Sequence, residues 1–153
     1  MTNTTLCYLE KDEKYLMLHR VKKKNDANHD KWLGIGGKLE ECESPFDGVR
    51  REVTEETGLT LNTVRYRGII TFHSNIYGTE YMHLFTSSDF SGEVKVDCDE
   101  GQLEWVKKSD VCALPIWEGD KIFFDLLLAN ATFFSLKLVY EGDRLVSHKT
   151  EFI

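Results

Sequence analysis

The sequence predicts a single layered α/β domain built on a mixed β-sheet. Its 153 residues lie in the usual size range of one domain, and 41% of them are hydrophobic, which is enough to form a buried core. Two segments repeat apolar residues with a helical period, and some seven others have the pattern of strands. Because no repeat, linker or low-complexity stretch interrupts these segments, we expect one domain over residues 1–153.

The first part of the chain predicts three strands. Residues 4–9 and 14–21 have the pattern of a hairpin around a polar turn at 11–13. Residues 22–31 are polar and predict a loop. Residues 32–38 then return to the sheet, and their glycines let the backbone come close to a ligand.

The clearest helix is predicted over residues 45–57. Ser44 supplies an N-cap, and Pro45 fits the first helical position, where its missing N–H costs nothing. Gly58 provides the C-terminal stop. Apolar side chains recur at spacings of three and four and predict a buried stripe. These side chains are Phe46, Val49 and Val53.

Three further strands are predicted after this helix. Residues 64–73 and 81–86 have strand patterns on either side of a turn at Gly78, and residues 103–106 form a shorter one. We expect all three to join the same sheet.

A second helix and a last hairpin complete the domain. The helix is predicted over residues 118–129, and residues 133–140 and 144–152 form the hairpin around a turn at 141–143. The apolar stripe of the helix is typical of a core contact. It consists of Ile122, Phe123, Leu126 and Leu127.

Composition narrows the classes of partner. The net charge of -7 argues against binding a nucleic-acid polymer, because such binding depends on neutralising phosphates. The compact basic run Lys22–Lys24 is interpreted as a solvated loop. A small anionic substrate remains compatible with this charge if a metal ion supplies local positive charge.

Cysteine usage and hydropathy indicate a soluble cytoplasmic protein. The four cysteines are scattered without a C-x-x-C pair, no signal-peptide pattern precedes them, and the five histidines lack ligand spacing. No apolar stretch reaches membrane-spanning length, so we expect no membrane partner. The sequence does not indicate an oligomeric state. The cysteines are Cys7, Cys42, Cys98 and Cys112.

Three carboxylates in the first helix indicate a cation site. Glu52, Glu55 and Glu56 share one helix face, where like charges repel by on the order of a few tenths of a kcal/mol per pair unless a cation lies among them. Hard oxygen ligands favour Mg²⁺, or Mn²⁺, over Zn²⁺. Arg51 lies four residues before Glu55 and can orient a carboxylate through its planar guanidinium.

The spacing around these carboxylates resembles the complete Nudix box. The pattern covers 23 residues, which makes chance agreement improbable, whereas an isolated acidic helix face is usually only solvated. The resemblance implies an α/β/α sandwich with a mixed sheet, in which the box forms a loop, a helix and a loop. The matching positions are Gly37, Glu43, Arg51, Glu52, Val53, Glu55, Glu56, Gly58 and Leu59.

The resemblance also implies metal-dependent cleavage of a phosphoanhydride bond in a nucleotide. Glu52, Glu55 and Glu56 are then ligands of Mg²⁺ together with the backbone carbonyl of Gly36. Glu56 or Glu52 also orients or deprotonates the attacking water, and the sequence does not separate these roles.

Two further acidic contributions follow from the same resemblance. Glu43 pairs with Arg51 and supports the ligands. A later loop often supplies one more carboxylate, for which Glu100 is the candidate, with Asp97 and Asp99 as competitors. A solvated acidic loop is an equally good interpretation of this loop.

Outside the box, the chain is similar to MutT-type hydrolases of oxidised purine nucleoside triphosphates such as 8-oxo-dGTP. The likeness includes Trp32 after Lys31, Phe72, and Trp117 with Asp120. It implies that Trp117 stacks on a purine and that Asp120 hydrogen-bonds its edge, although Trp117 also suits a packing role. The implied role is sanitation of the nucleotide pool.

Two departures concern the base. Leu33 replaces a base-binding asparagine of an oxidised-purine hydrolase of this type, and Gly119 replaces the first of two adjacent aspartates. Both remove polar contacts on which selectivity for 8-oxoguanine depends. Two alternatives therefore stay open: hydrolysis of another nucleotide, such as a dinucleoside polyphosphate, for which Tyr77 is suggestive, and a nucleotide-sensing module without catalysis.

Overall fold

A computed structural model describes residues 1–21, 27–95 and 98–153. Lys22–Lys24 and Asp97 lie outside these ranges, so the predictions made for them are not addressed. The described chain forms eight strands, two α-helices and one turn of 3-10 helix. These are β1 (Thr2–Lys11), β2 (Lys14–His19), β3 (Trp32–Leu33), α1 (Pro45–Thr57), β4 (Thr60–Ser74), β5 (Gly78–Ser91), β6 (Gln102–Lys107), the 3-10 helix (Val111–Ala113), α2 (Asp120–Leu128), β7 (Phe134–Glu141) and β8 (Arg144–Phe152).

The described strands form one mixed sheet in the order β3-β2-β1-β5-β4-β7-β8, and β6 pairs with β2. The pairs β1–β5 and β4–β7 are parallel, whereas the other pairs are antiparallel. The two helices pack on separate hydrophobic clusters of this sheet. The predicted α/β/α sandwich is therefore confirmed.

Strand β1 contributes to both cores, because successive side chains of a strand point to opposite faces of the sheet. Tyr8 is fully buried in the cluster that contains Phe123 of α2. Cys7 and Leu9 are fully buried in the cluster that contains Val49 of α1. The alternation of this one strand thus joins the two layers of helices.

Helix α1 has the predicted boundaries and caps. The hydroxyl of Ser44 accepts a hydrogen bond from the backbone N–H of Asp47 at 3.0 Å, and the Asp47 carboxylate accepts one from the N–H of Ser44. Gly58 ends the helix in the left-handed conformation at a φ of 81°. Phe46 was predicted to be buried but is 39% exposed, because it lies in the first turn of the helix. Its ring forms T-shaped contacts with Tyr66 and Phe85.

The strand predicted over residues 32–38 is wrong in its length, because β3 ends at Leu33. Beyond it, Ile35 and Lys38 form only isolated bridges to β1. A Cβ at Gly36 would lie 1.8 Å from the backbone oxygen of Thr5, so this segment crosses β1 at a distance that only glycine allows.

Other boundaries differ from the predictions in smaller ways. The strands predicted over 64–73 and 81–86 extend to Thr60–Ser74 and Gly78–Ser91, because they continue through three register shifts. The strand predicted over 14–21 ends at His19, and the helix predicted over 118–129 covers Asp120–Leu128. The last hairpin is as predicted to within one residue.

Candidate active site

The guanidinium of Arg51 connects the loop before α1 to the carboxylates on the helix. Its Nε and Nη2 donate to both oxygens of Glu43, at 2.7 and 2.9 Å. Its Nη1 donates to Glu52 at 2.8 Å and to Glu55 at 3.1 Å, and Nη2 also reaches the carbonyl oxygen of Lys38. Hydrogen bonds from Arg51 and from the N–H of Glu40 lower the pKa of Glu43 to about 2. Glu43 therefore pairs with Arg51, and its support of the metal ligands stays a prediction.

A second group of carboxylates meets next to the glycine turn. The N–H of Gly36 donates to Glu56 at 3.2 Å, and Glu56 hydrogen-bonds the carboxyl of Glu100. A Cβ at Gly37 would lie 2.7 Å from the Glu52 carboxyl group, so the turn passes directly over that side chain. Glu52, Glu56, Glu100 and Gly36 are therefore neighbours, and their role as metal ligands stays a prediction.

Burial and mutual repulsion raise the pKa of two of these groups. The pKa of Glu56 is raised mainly by burial and then by the adjacent Glu100 and Glu52. Burial also raises the pKa of Glu52, although its contact with Arg51 opposes the shift. Crowded carboxyl groups of this kind gain stability when a cation joins them.

The donor set fits a hard divalent cation. Carboxylate oxygens and the Gly36 carbonyl are the ligands that Mg²⁺ prefers. Across residues 1–21, 27–95 and 98–153, however, no three His, Cys, Asp or Glu side chains are arranged as a complete metal site. Arg51 holds Glu52 and Glu55 by charged hydrogen bonds, and the side chain of Glu55 is 59% exposed.

The structure distinguishes two of the three candidates for the additional carboxylate, because Glu100 and Asp99 lie in different surroundings. Glu100 lines the central cavity and contacts Glu56, and its carboxylate accepts a hydrogen bond from Arg20 at 3.2 Å. Asp99 is exposed in the turn before it. Asp97 lies outside the described residues.

A cavity of about 690 Å³ extends from these carboxylates across the sheet to α2. Its box side is lined by the glycine turn with Glu52 and Glu100, and its helix side by groups from β3, β4 and α2. This volume suits a nucleotide-sized ligand. The predicted base-binding residues in its wall are Leu33, Phe72, Trp117 and Asp120.

Trp117 lines the cavity and also packs into the core. It is 7% exposed, its indole N–H donates to the Asn28 side-chain oxygen at 2.7 Å, and the Lys31 ammonium lies 4.8 Å from its ring centroid. Phe72 and Tyr140 contact the ring edge-on. Stacking of Trp117 on a purine stays a prediction, and the packing role that the sequence left open is present as well.

Asp120 is the buried acid of the helix side. It is 6% exposed, and within the described part of the chain its side chain has no hydrogen-bond partner. Burial raises the pKa of Asp120 to about 8, although the positive charge of Lys31 partly opposes the shift. A carboxyl group that is largely neutral at pH 7 both donates and accepts hydrogen bonds, which suits the edge of a base.

The structure shows the surroundings of both departures, Gly119 and Leu33. A Cβ at Gly119 would lie 2.5 Å from a methyl carbon of Leu138, so no side chain fits there without displacement. Leu33 is half-buried in the cavity wall. Trp32 lies outside the cavity wall and stacks on His19 with ring centroids 4.3 Å apart.

Several polar residues of the cavity wall were not singled out from the sequence, among them Thr4, Arg20, Asn28 and Glu80. They come from β1, the end of β2, the following loop and β5. No local pattern identifies them, because only the register of β1 with β5 and the path of the loop bring them to the cavity.

Neither helix in the described part of the chain has the length and apolar character needed to span a bilayer.

Comparison with known proteins identifies relatives over most of the chain. The model of the NUDIX domain matches residues 2–127. The oxidized purine nucleoside triphosphate hydrolase of Danio rerio is 32% identical over 131 residues, which cover 84% of this chain and 83% of the relative. The uncharacterized Nudix hydrolase YvcI of Bacillus subtilis is 30% identical over 132 residues, which cover 84% and 80%.

A solved structure extends the likeness to nearly the whole chain. The crystal structure of the mutator MutT protein from Bacillus halodurans has a TM-score of 0.87 and 29% identity, covering 99% of this chain and 98% of its own. The geometry of the box residues, the α/β/α sandwich and these matches all indicate the same family over most of the chain. The chain therefore belongs to the Nudix family, as a hydrolase of the MutT type.

Proposed function

We propose that this enzyme hydrolyses a nucleoside triphosphate with a modified purine base, such as 8-oxo-dGTP, to the nucleoside monophosphate and pyrophosphate. The observation that carries the proposal is the continuity of one cavity from Glu52 and Glu100 to Trp117 and Asp120. A triphosphate can then lie beside the carboxylates while its base lies against α2. The zebrafish relative, named for oxidised purine nucleotides, supports the same substrate class.

The proposed metal ligands are Glu52, Glu55, Glu56, Glu100 and the Gly36 carbonyl. Mg²⁺, or Mn²⁺, supplies charge neutralisation on the phosphates and lowers the pKa of a coordinated water when bound. Either Glu56 or Glu52 accepts the proton of the attacking water. Arg51 keeps Glu52 in position, since its guanidinium is itself fixed by both oxygens of Glu43.

The base side is proposed to bind the purine between apolar walls and one buried acid. Leu33, Phe72 and Trp117 provide the apolar surface, and Asp120 provides the polar contact. The net charge of -7 fits a small nucleotide bound through a metal better than a nucleic-acid polymer. We propose the free nucleotide pool of the cytoplasm as its place of action.

A dinucleoside polyphosphate is the second candidate, and Tyr77 is the observation that favours it. Tyr77 lines the cavity and is 52% exposed, so its ring is accessible to a second base. The same carboxylates would serve either substrate.

One panel of substrates tests both candidates. The purified enzyme is incubated with Mg²⁺ and canonical or oxidised nucleoside triphosphates, ADP-ribose, NADH or diadenosine polyphosphates, with EDTA as the control. We expect the highest kcat/KM for oxidised purine triphosphates, with release of pyrophosphate rather than orthophosphate. A preference for diadenosine polyphosphates would favour the second candidate, and no turnover of any compound would refute hydrolysis of nucleotides.

A further inference from the structure

Glu80 is an acidic residue on a largely apolar face of the sheet. In β5 it lies directly opposite Phe72 of β4, and Met82, two residues later, lies opposite Ile70. Paired residues of neighbouring strands share a face. On the other side of β5, the parallel register with β1 pairs Met82 with Thr4.

The contacts of Glu80 leave it able to accept a further hydrogen bond. The hydroxyl of Thr4 donates to one of its carboxylate oxygens at 2.8 Å. Within the described residues no other hydrogen bond or ion pair involves the side chain of Glu80, which is half-buried and lines the cavity. A carboxylate held by one neutral hydroxyl on an apolar face is costly unless another donor completes its contacts.

The position of Glu80 lies between the two functional sides of the cavity. Its neighbour Thr4 forms a backbone bridge with Lys38, which follows the glycine turn of the box. Its cross-strand partner Phe72 contacts Trp117, with ring centroids 5.4 Å apart. A nucleotide with its phosphates at the box and its base at α2 would place its sugar between them.

We propose that Glu80, held by Thr4, is a specificity residue that accepts a hydrogen bond from a hydroxyl group of the nucleotide sugar. This inference rests on the proposed function, because it takes the nucleotide to lie along the cavity in that direction. An ionised carboxylate only accepts hydrogen bonds and repels phosphate, so a neutral hydroxyl is its complementary partner. The same chemistry lets an acidic residue bind ribose hydroxyls in dinucleotide-binding folds.

The test measures binding of GTP, dGTP and 2′,3′-dideoxy-GTP by calorimetry with Ca²⁺ in place of Mg²⁺, so that a cation is present while turnover is slow, and then turnover with Mg²⁺. For the native enzyme we expect loss of both hydroxyls to weaken binding roughly tenfold or more, as for a hydrogen bond to a charged acceptor. In Glu80→Met the three affinities should become nearly equal. Thr4→Val should also bring the three affinities closer together, because it removes the hydrogen bond that holds the Glu80 carboxylate.

The control for the lost charge is Glu93→Met, an exposed acid outside the cavity wall, which should keep the native preference. Unfolding in urea separates binding from structure: Glu80→Met should be at least as stable as the native enzyme, because it removes a charge from an apolar face. A merely structural role would instead lower the stability and leave the ratio of affinities unchanged.

The outcomes for Glu80 and for the proposed function are distinguishable. An unchanged preference for hydroxylated sugars in a folded Glu80→Met overturns the role of Glu80, even when the native enzyme hydrolyses nucleotides. Absence of turnover across the whole substrate panel refutes the proposed function, and the affinity ratios of the three guanine nucleotides still decide the role of Glu80. Absence of binding of all three nucleotides overturns the role of Glu80, while the substrate panel decides the proposed function separately.

Discussion

At the scale of single residues, the acidic groups of the site differ in their surroundings although they are the same amino acid. Glu43 is held by the guanidinium of Arg51, which lowers its pKa, whereas burial and neighbouring acids raise the pKa of Glu56. Glu55 is largely exposed. These differences support the proposed supporting role of Glu43, and Glu56 lies between the N–H of Gly36 and the carboxyl of Glu100.

Replacement of Glu56 by Gln tests its proposed role directly. Gln keeps an oxygen that can accept from the N–H of Gly36 but cannot act as an anionic ligand or accept a proton. We expect kcat to fall roughly a hundredfold or more with an unchanged far-UV circular dichroism spectrum, and a comparable loss for Glu55→Gln. Steady-state kinetics with the preferred substrate of the panel provide the measurement.

Glu41→Gln is the matched control, because Glu41 is exposed in the box loop and lies outside the matching positions. Full activity of both Glu55→Gln and Glu56→Gln would remove the metal-carboxylate proposal.

At the scale of elements, α1 and the loop before it act as one unit because Arg51 connects them. Four acceptors from both segments converge on this guanidinium: the side chains of Glu43, Glu52 and Glu55 and the carbonyl of Lys38. A lysine ammonium lacks the planar arrangement needed to bind both oxygens of Glu43 while holding Glu52. The helix therefore depends on arginine at this position for more than charge.

The adjacent arginine offers a control for this dependence. We expect Arg51→Lys to lower kcat by roughly ten- to a hundredfold, as for other groups that orient metal ligands. Arg50→Lys should have native kinetics, because Arg50 is exposed and its side chain forms no hydrogen bond or ion pair with the described residues. Equal kinetics of the two variants would contradict the connecting role of Arg51, and the temperature of unfolding should fall only for Arg51→Lys.

At the scale of the whole molecule, the buried Asp120 should affect how stability depends on pH. Its pKa is about 8 in the folded protein and about 3.9 in an unfolded chain. Between these values the native state binds a proton that the unfolded state has released, so the free energy of unfolding decreases as pH rises. The slope from this group is at most about 1.4 kcal/mol per pH unit.

Asp120→Asn should remove this contribution, because Asn resembles the neutral carboxyl group. Urea unfolding at pH 5 and pH 8 should show the native enzyme losing stability relative to the variant. Asp125→Asn, an exposed acid on the same helix, should keep the native pH dependence. Parallel pH profiles of the native enzyme and Asp120→Asn would contradict a raised pKa.

Elements fixed by local interactions were predictable from the sequence, whereas elements fixed by contacts between distant segments were not. Helix α1 was predicted to the residue because Ser44, Pro45 and Gly58 define its ends locally. The segment 34–38 was wrongly predicted as strand, since its course depends on the close crossing of Gly36 over Thr5. Local patterns give no information on such contacts between distant segments.

The site divides in the same way. The box carboxylates are close in sequence, so their meeting on α1 was predictable. The positions of Glu80 and Asn28 in the cavity wall were not predictable, because strand register and the course of a loop bring them there. The absence of a second acid beside Asp120 was visible in the sequence, but the packing of Gly119 against the methyl groups of Leu138 was not.

The double role of β1 makes this strand unusually intolerant of insertions and deletions. Its eight register pairs with β5 run from Thr2 with Glu80 to Leu9 with Ser87. A shift by one residue would turn Tyr8 towards α1 and Leu9 towards α2, and it would also carry Thr4 away from the cavity. Loss of a single residue here would thus damage both cores and the substrate wall together, whereas substitutions would affect one at a time.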